Sequence, residues 1–151
     1  MEDIKEQYIT FETAKLAKEK GFEQKIGLFY KSGGAYYNSD GELNGNCIKQ
    51  IKSRLGIGIE ENNDNGLISA PTQSILQKWL RDNHYLYVSI IETSTYALVT
   101  GIGFYVEVLK PEETEHGRVL TTLFASTMFF GKYEEAIEVG LIEALKQIQI
   151  K

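Results

Sequence analysis

Between residues 85 and 130 the chain offers three β-prone segments in succession with no helical pattern between them. This run limits the fold more than any other feature. Strands joined by short connections pair antiparallel, because a parallel neighbour needs a crossover of a dozen or more residues. In 85–91, Leu86, Val88 and Ile90 fall on one face, and Tyr85 and Tyr87 on the other. In 96–108, Leu98, Ile102, Phe104, Val106 and Val108 alternate with Ala97, Val99, Gly101, Gly103, Tyr105 and Glu107. Residues 111–118, Pro-Glu-Glu-Thr-Glu-His-Gly-Arg, read as an exposed connection, and 119–130 as the third strand. The expectation is a three-stranded antiparallel meander.

Helical patterns flank that run. In 69–84, Ile75, Leu76, Trp79 and Leu80 form one apolar face. Ser69 is a candidate cap, Pro71 suits a first turn, and Asn83-His84 ends the helix. In 133–149, Tyr133, Ala136, Ile137, Gly140, Leu141, Ala144, Leu145 and Ile148 keep a 3.6-residue period. Gly140 on that buried face implies close approach of another element. Residues 11–20 read as an N-terminal helix, with Thr10 as N-cap, Gly21 as the left-handed cap residue and Phe22 folding back. Residues 24–38 read as an early hairpin: Ile26, Leu28 and Tyr30 lead to a Ser32-Gly33-Gly34 turn and a return strand at Ala35-Tyr36-Tyr37. Residues 38–47 are loop chemistry, 48–59 fit either helix or strand, and 60–66 are expected to form a mobile loop. The whole predicts an α+β fold. An antiparallel meander plus an early hairpin carries two helices on one face and an N-terminal helix, in a single domain over 1–151.

Composition excludes several functions. The chain has 151 residues, 42% hydrophobic and 25% charged, enough to bury a core without staples. Its 21 acidic and 16 basic residues leave a net charge of −5. The arginines are Arg54, Arg81 and Arg118, and no basic stripe exists to neutralise phosphates, so duplex nucleic acid is not an expected partner. No apolar run reaches the roughly 18 residues that span a bilayer, so no membrane partner is expected. Cys47 is the single cysteine, which excludes an intrachain disulfide and fits a reducing cytoplasm. The start, Met1-Glu2-Asp3-Ile4-Lys5-Glu6, lacks a signal peptide's apolar core, so the cytoplasm is the expected compartment.

Catalytic patterns fail one by one. Cys47 has no histidine near it in sequence and reads as a half-buried small side chain. Gly101-Ile102-Gly103 begins like a dinucleotide fingerprint, but the glycines sit inside an alternating strand, where a bulge or an aromatic packed over the strand explains them. His84, His116 and Cys47 have no metal-ligand spacing. His84 is the one candidate general base, at a helix end where histidines act as caps. No catalytic residue, metal or cofactor is assigned.

One binding constellation remains. The start of the middle helix presents Ser69, Thr72 and Gln73 with free backbone amides that suit an anion. Tyr85 and Tyr87 on the next strand, with Tyr36 and Tyr37 in the hairpin, could stack on a base, so a small nucleotide is one expected ligand. Residues 119–130 carry apolar side chains and no charge on either face, with Leu123, Phe124, Met128 and Phe129 as contact candidates. Such a strand invites pairing, which predicts a homodimer or small oligomer.

Three blocks share a further pattern: Phe11-Glu12-Thr13-Ala14-Lys15-Leu16 to Gly21-Phe22, Ala70-Pro71-Thr72-Gln73-Ser74-Ile75-Leu76-Gln77-Lys78-Trp79-Leu80-Arg81, and Tyr133-Glu134-Glu135-Ala136-Ile137-Glu138-Val139-Gly140-Leu141-Ile142-Glu143-Ala144-Leu145. Together they resemble a family of small uncharacterised proteins of phages and prophages of gut bacteria. The resemblance implies a context, the host bacterial cytoplasm, and carries no functional residues. The expected function is a non-catalytic phage accessory binding protein that interferes with host defence, by sequestering a nucleotide signal or by gripping a host protein. The alternatives are a structural or virion-assembly component and an enzyme built on His84.

Overall fold

The structure, a computed structural model, describes residues 7–23, 28–31, 48–49, 67–94 and 102–149. It is α+β, in the order α1 (Phe11–Glu19), β1 (Leu28–Lys31), β2 (Ile48–Lys49), β3 (Leu67–Ser69), α2 (Gln73–His84), β4 (Tyr87–Ser94), β5 (Ile102–Thr114), β6 (Gly117–Ala125) and α3 (Tyr133–Lys146). The length suggests one domain; the chain divides into two compact units, Met1–Thr72 and Gln73–Lys151. Tyr36, Tyr37, Cys47, Gly101 and the 60–66 segment lie outside the described residues.

In the first unit, α1 begins at its expected cap. Thr10 is extended and its Oγ1 accepts from the Thr13 N–H at 3.3 Å. Phe22 N–H reaches Ala17 O at 2.9 Å and Gly21 N–H reaches Lys18 O at 3.0 Å, a Schellman closure. Gly21 has φ +90°, open to glycine without a Cβ penalty, and Phe22 folds back into the core. β1 lies between β2 and β3, antiparallel to both. The return strand expected at 35–37 is outside the described residues. The Tyr30 hydroxyl donates to the Ile9 carbonyl at 2.5 Å, and its ring meets Phe11 edge-on at 5.4 Å. Ile9 N–H donates to Pro71 O at 3.1 Å, and Tyr8 bridges Thr72.

That last pairing moves the start of α2. Ser69 closes β3 and Pro71 precedes the helix, so Ser69 is not its cap and Pro71 is not in its first turn. The carbonyl of Pro71 is held by Ile9 and Thr72 by Tyr8, which keeps this stretch out of the helix.

The second unit is a three-stranded antiparallel sheet, β4-β5-β6, with α2 and α3 on one face. Val88 pairs with Val108 and Ile90 with Val106, and these side chains point to the helices. Leu76, Trp79, Leu80, Val88, Val106, Val108, Ile137, Leu141 and Leu145 are buried there, Trp79 and the Leu141/Leu145 stripe included. Gly140 allows α3 to approach: a Cβ at this position would lie 2.5 Å from Val88 Cγ1 and 2.6 Å from Val106 Cγ2. The Gln77 side-chain amide donates to the Val88 carbonyl at 2.9 Å, tying α2 to β4.

Three strand expectations need correction. Tyr85 is not in the strand: it has φ +56° and ends α2, its N–H reaching Arg81 O at 3.2 Å, so β4 starts at Tyr87. Residues 111–118 are not a loose connection. β5 runs to Thr114 and β6 starts at Gly117, whose φ of +109° closes the turn. Pro111 is tolerated because β4 pairs only as far as Leu109, beyond which β5 has one neighbour. Finally, β6 ends at Ala125 and contains a bulge. Val108 faces Phe124 but Leu109 faces Thr122, leaving Leu123 as the extra residue. The alternation expected over 119–130 therefore changes phase. Val119, Thr121, Phe124 and Ser126 lie on the helix side, and Leu120, Thr122 and Ala125 on the other.

Candidate functional site

Of the constellation expected from the sequence, Ser69, Thr72, Gln73, Tyr85 and Tyr87 are among the described residues, and Tyr36 and Tyr37 lie outside them. Ser69, Thr72 and Gln73 are buried, at 1, 2 and 6% exposure. Gln73 Nε2 donates inward, to the Glu134 carbonyl at 3.0 Å and to Glu138 Oε2 at 2.9 Å, fastening α2 to α3. Its amide is engaged in the fold. Tyr85 is 58% exposed at the helix end, while Tyr87 is half-buried on β4, so the two do not share a strand face.

His84 ends α2, its ring 4.5 Å from Trp79 and edge-on to it. Nε2 is buried and has no hydrogen-bond partner among the described residues. Burial holds its pKa below the ordinary histidine value of 6.5. A general base needs a hydroxyl or a substrate proton within reach and an acid to orient it. Here the ring completes the packing around Trp79. Among the described residues no cluster of three or more His, Cys, Asp or Glu could hold a metal ion.

What the structure does assemble is the sheet face turned away from the helices. Strand alternation puts Tyr87, Ser89, Ile91 and Thr93 of β4 there, with Gly103, Tyr105, Glu107 and Leu109 of β5. Ile91 lies directly opposite Tyr105, and Tyr87 opposite Leu109. The chain leaving β6 then returns. Phe130 exchanges two backbone hydrogen bonds with Phe104, at 2.9 and 2.8 Å. This pairing carries Phe129 over Gly103, where a Cβ would meet Phe129 Cβ at 3.1 Å, and brings its ring 6.3 Å from Tyr105. The aromatic expected to explain Gly103 is thus Phe129. Ile91, Phe129 and Leu120 remain 43, 56 and 59% exposed. The acids and bases on this face are Glu107 and, at the far end of the hairpin, Glu113 and Arg118.

The expected contact residues divide. Met128 and Phe129 are exposed, Leu123 sits at the bulge with 36% exposure, and Phe124 is half-buried on the helix side opposite Val108. Sequence reasoning placed Tyr105 on the face opposite Val106 and Val108, but it missed Ile91, because only register shows that the two are neighbours. It also missed Leu120, which the bulge turns to the open face and which stays exposed because the hairpin runs on beyond the end of β4. No helix among the described residues is long and apolar enough to cross a membrane. Comparison of the chain with protein-family models, curated proteins and solved structures finds no match.

Proposed function

We propose that this chain is a non-catalytic binding protein that holds a protein partner on the open face of β4-β5-β6. The context its resemblance implies, a phage accessory protein in the host cytoplasm, makes a host component of defence the natural target. The observation that carries the reading is the patch of Ile91, Tyr105 and Phe129, two of them 43 and 56% exposed, on a sheet whose other face buries Val88, Val106 and Val108 beneath the helices. Contiguous exposed apolar and aromatic surface rimmed by charge is the mark of a protein contact, and aromatics dominate the energetics of such contacts. The nucleotide version has less support. Ser69, Thr72 and Gln73 are buried, and Tyr85 and Tyr87 are not side by side.

The test is a photo-crosslinking side chain placed at Ile91 and, as a control, at Lys78 on the exposed side of α2, in the full chain produced in its host. The reading expects a discrete cross-linked partner from position 91 and none from 78. Equal products at both positions, or none at 91, count against it. A parallel thermal-shift screen with nucleotides separates the other version, since a ligand at a hundredfold excess over Kd adds about 2.7 kcal/mol of stability.

A further inference from the structure

We infer that two copies of this chain join through β6, edge to edge and antiparallel, making one six-stranded sheet about a twofold axis near Leu120. The inference goes beyond the open-face reading and rests on a different surface. β6 is the outer strand of its sheet, and among the described residues no strand pairs with its far side. Its side chains are exposed on both faces at once: Leu120 is 59% exposed on the open face and Val119 44% exposed on the helix side. A partner laid on one face covers only one of these. A strand added along the edge covers both and also satisfies the free backbone donors and acceptors.

A second copy fits that edge better than an arbitrary strand. Centred on Leu120, the pairing sets Leu120 against itself, Val119 against Thr121 and Arg118 against Thr122 of the other copy. Each pair shares a face, because the stretch lies on one side of the bulge at Leu123. No like charges meet, and apolar and β-branched residues oppose one another, the pairing that stabilises sheets. The acids of the hairpin stand back from the contact: Glu112 and Glu113 lie on β5, one strand inward from the edge, and Glu115 lies in the turn. Antiparallel pairing points the two turns in opposite directions, about 30 Å apart along the strands at roughly 3.3 Å per residue. That exceeds the Debye length of about 8 Å at physiological salt. A parallel arrangement would bring the acidic turns together. Edges protected against such pairing carry lysine, proline or inward charge; from Val119 to Ala125 this strand carries none of them.

The test is sedimentation equilibrium of the full chain over a range of concentration and salt, with amide exchange of β6 at low and high concentration. The inference expects a mass rising from 17.1 kDa to twice that. Salt should strengthen the association, since each copy carries a net charge of −5. The edge amides within 118–122 should gain protection only in the dimer. Leu120→Lys sets two cations face to face and should weaken association by about tenfold or more, with an unchanged far-ultraviolet circular dichroism spectrum. Val119→Lys, on the opposite face of the same edge, should do likewise, and the exchange measurement needs no variant at all. A monomer at every concentration overturns the inference. So does a dimer that salt weakens, that leaves 118–122 unprotected, or that folded Leu120→Lys does not disturb. Each of these can occur while the cross-link at Ile91 persists, so the two readings fail separately.

Discussion

A methyl group at Gly140 would fall 2.5 Å from Val88 Cγ1 and 2.6 Å from Val106 Cγ2, inside the contact distance of any carbon pair. Alanine in place of glycine gains about 1 kcal/mol of helix propensity. Overpacking against two β-branched side chains of a sheet costs about 1–3 kcal/mol, at the upper end here because both valines are held by their ladders. Gly140→Ala is therefore expected to lower stability by about 1–2 kcal/mol in denaturant titration, and Val88→Ala, destabilising on its own, to cost less in the Gly140→Ala chain than in the parent. Tyr85 works the other way. A tyrosine at φ +56° pays about 1–2 kcal/mol for a conformation glycine adopts freely. Glycine adds unfolded-state entropy that returns roughly half of the gain. Tyr85→Gly should raise stability by about 0.5–1 kcal/mol, read as a higher melting temperature. His84 gives a pH dependence of known sign. Its folded pKa lies below 6.5 because burial disfavours the charged ring, so the unfolded chain takes up the proton first. The contribution is complete above about pH 6.5 and is lost as pH falls through the folded value. Denaturation midpoints of the parent and of His84→Gln, compared at pH 8 and below pH 6, should show the smaller pH dependence in the variant.

Helix ends were legible in the sequence because their chemistry is local. Thr10, Gly21 and Phe22 perform the capping roles their identities suggest, since a cap is decided by three or four neighbouring residues. The amphipathic faces of α2 and α3 were legible too, down to the close approach at Gly140. The start of α2 was not, because what holds Pro71 and Thr72 is the distant segment at Tyr8 and Ile9. Register was hidden for the same reason. The bulge at Leu123 is a property of how β6 meets β5, and one extra residue reverses every later side chain. This is why Thr122 and Phe124, alike in alternation, lie on opposite faces. Two members of the expected binding constellation turn on these same points: Tyr85 ends a helix instead of opening a strand, and Ser69 closes β3 instead of starting a helix. One helix end is left uncapped by its own sequence. Lys132, extended at φ −131° and ψ 144°, offers α3 no side-chain cap. Lys132→Ser, three residues before Glu135, creates a capping box and should add about 1 kcal/mol, measured by denaturant unfolding.

At the scale of the molecule, the second unit has spent its helices on one side of its sheet. Val88, Val106 and Val108 are packed at 8% exposure or less, while Ile91 and Phe129 on the other side stay at 43 and 56%. The central claim is that this face serves contact with another protein and not the chain's own core. The most direct measurement is the thermal and denaturant stability of Ile91→Lys beside its cross-linking partner profile from position 105. An exposed position tolerates a long amphipathic side chain, so stability should stay within about 0.5 kcal/mol of the parent. The charge at the centre of the patch should meanwhile abolish capture of the partner. A loss of about 3 kcal/mol or more, the signature of a charge forced into a core, would contradict the account. So would undiminished capture in a folded variant.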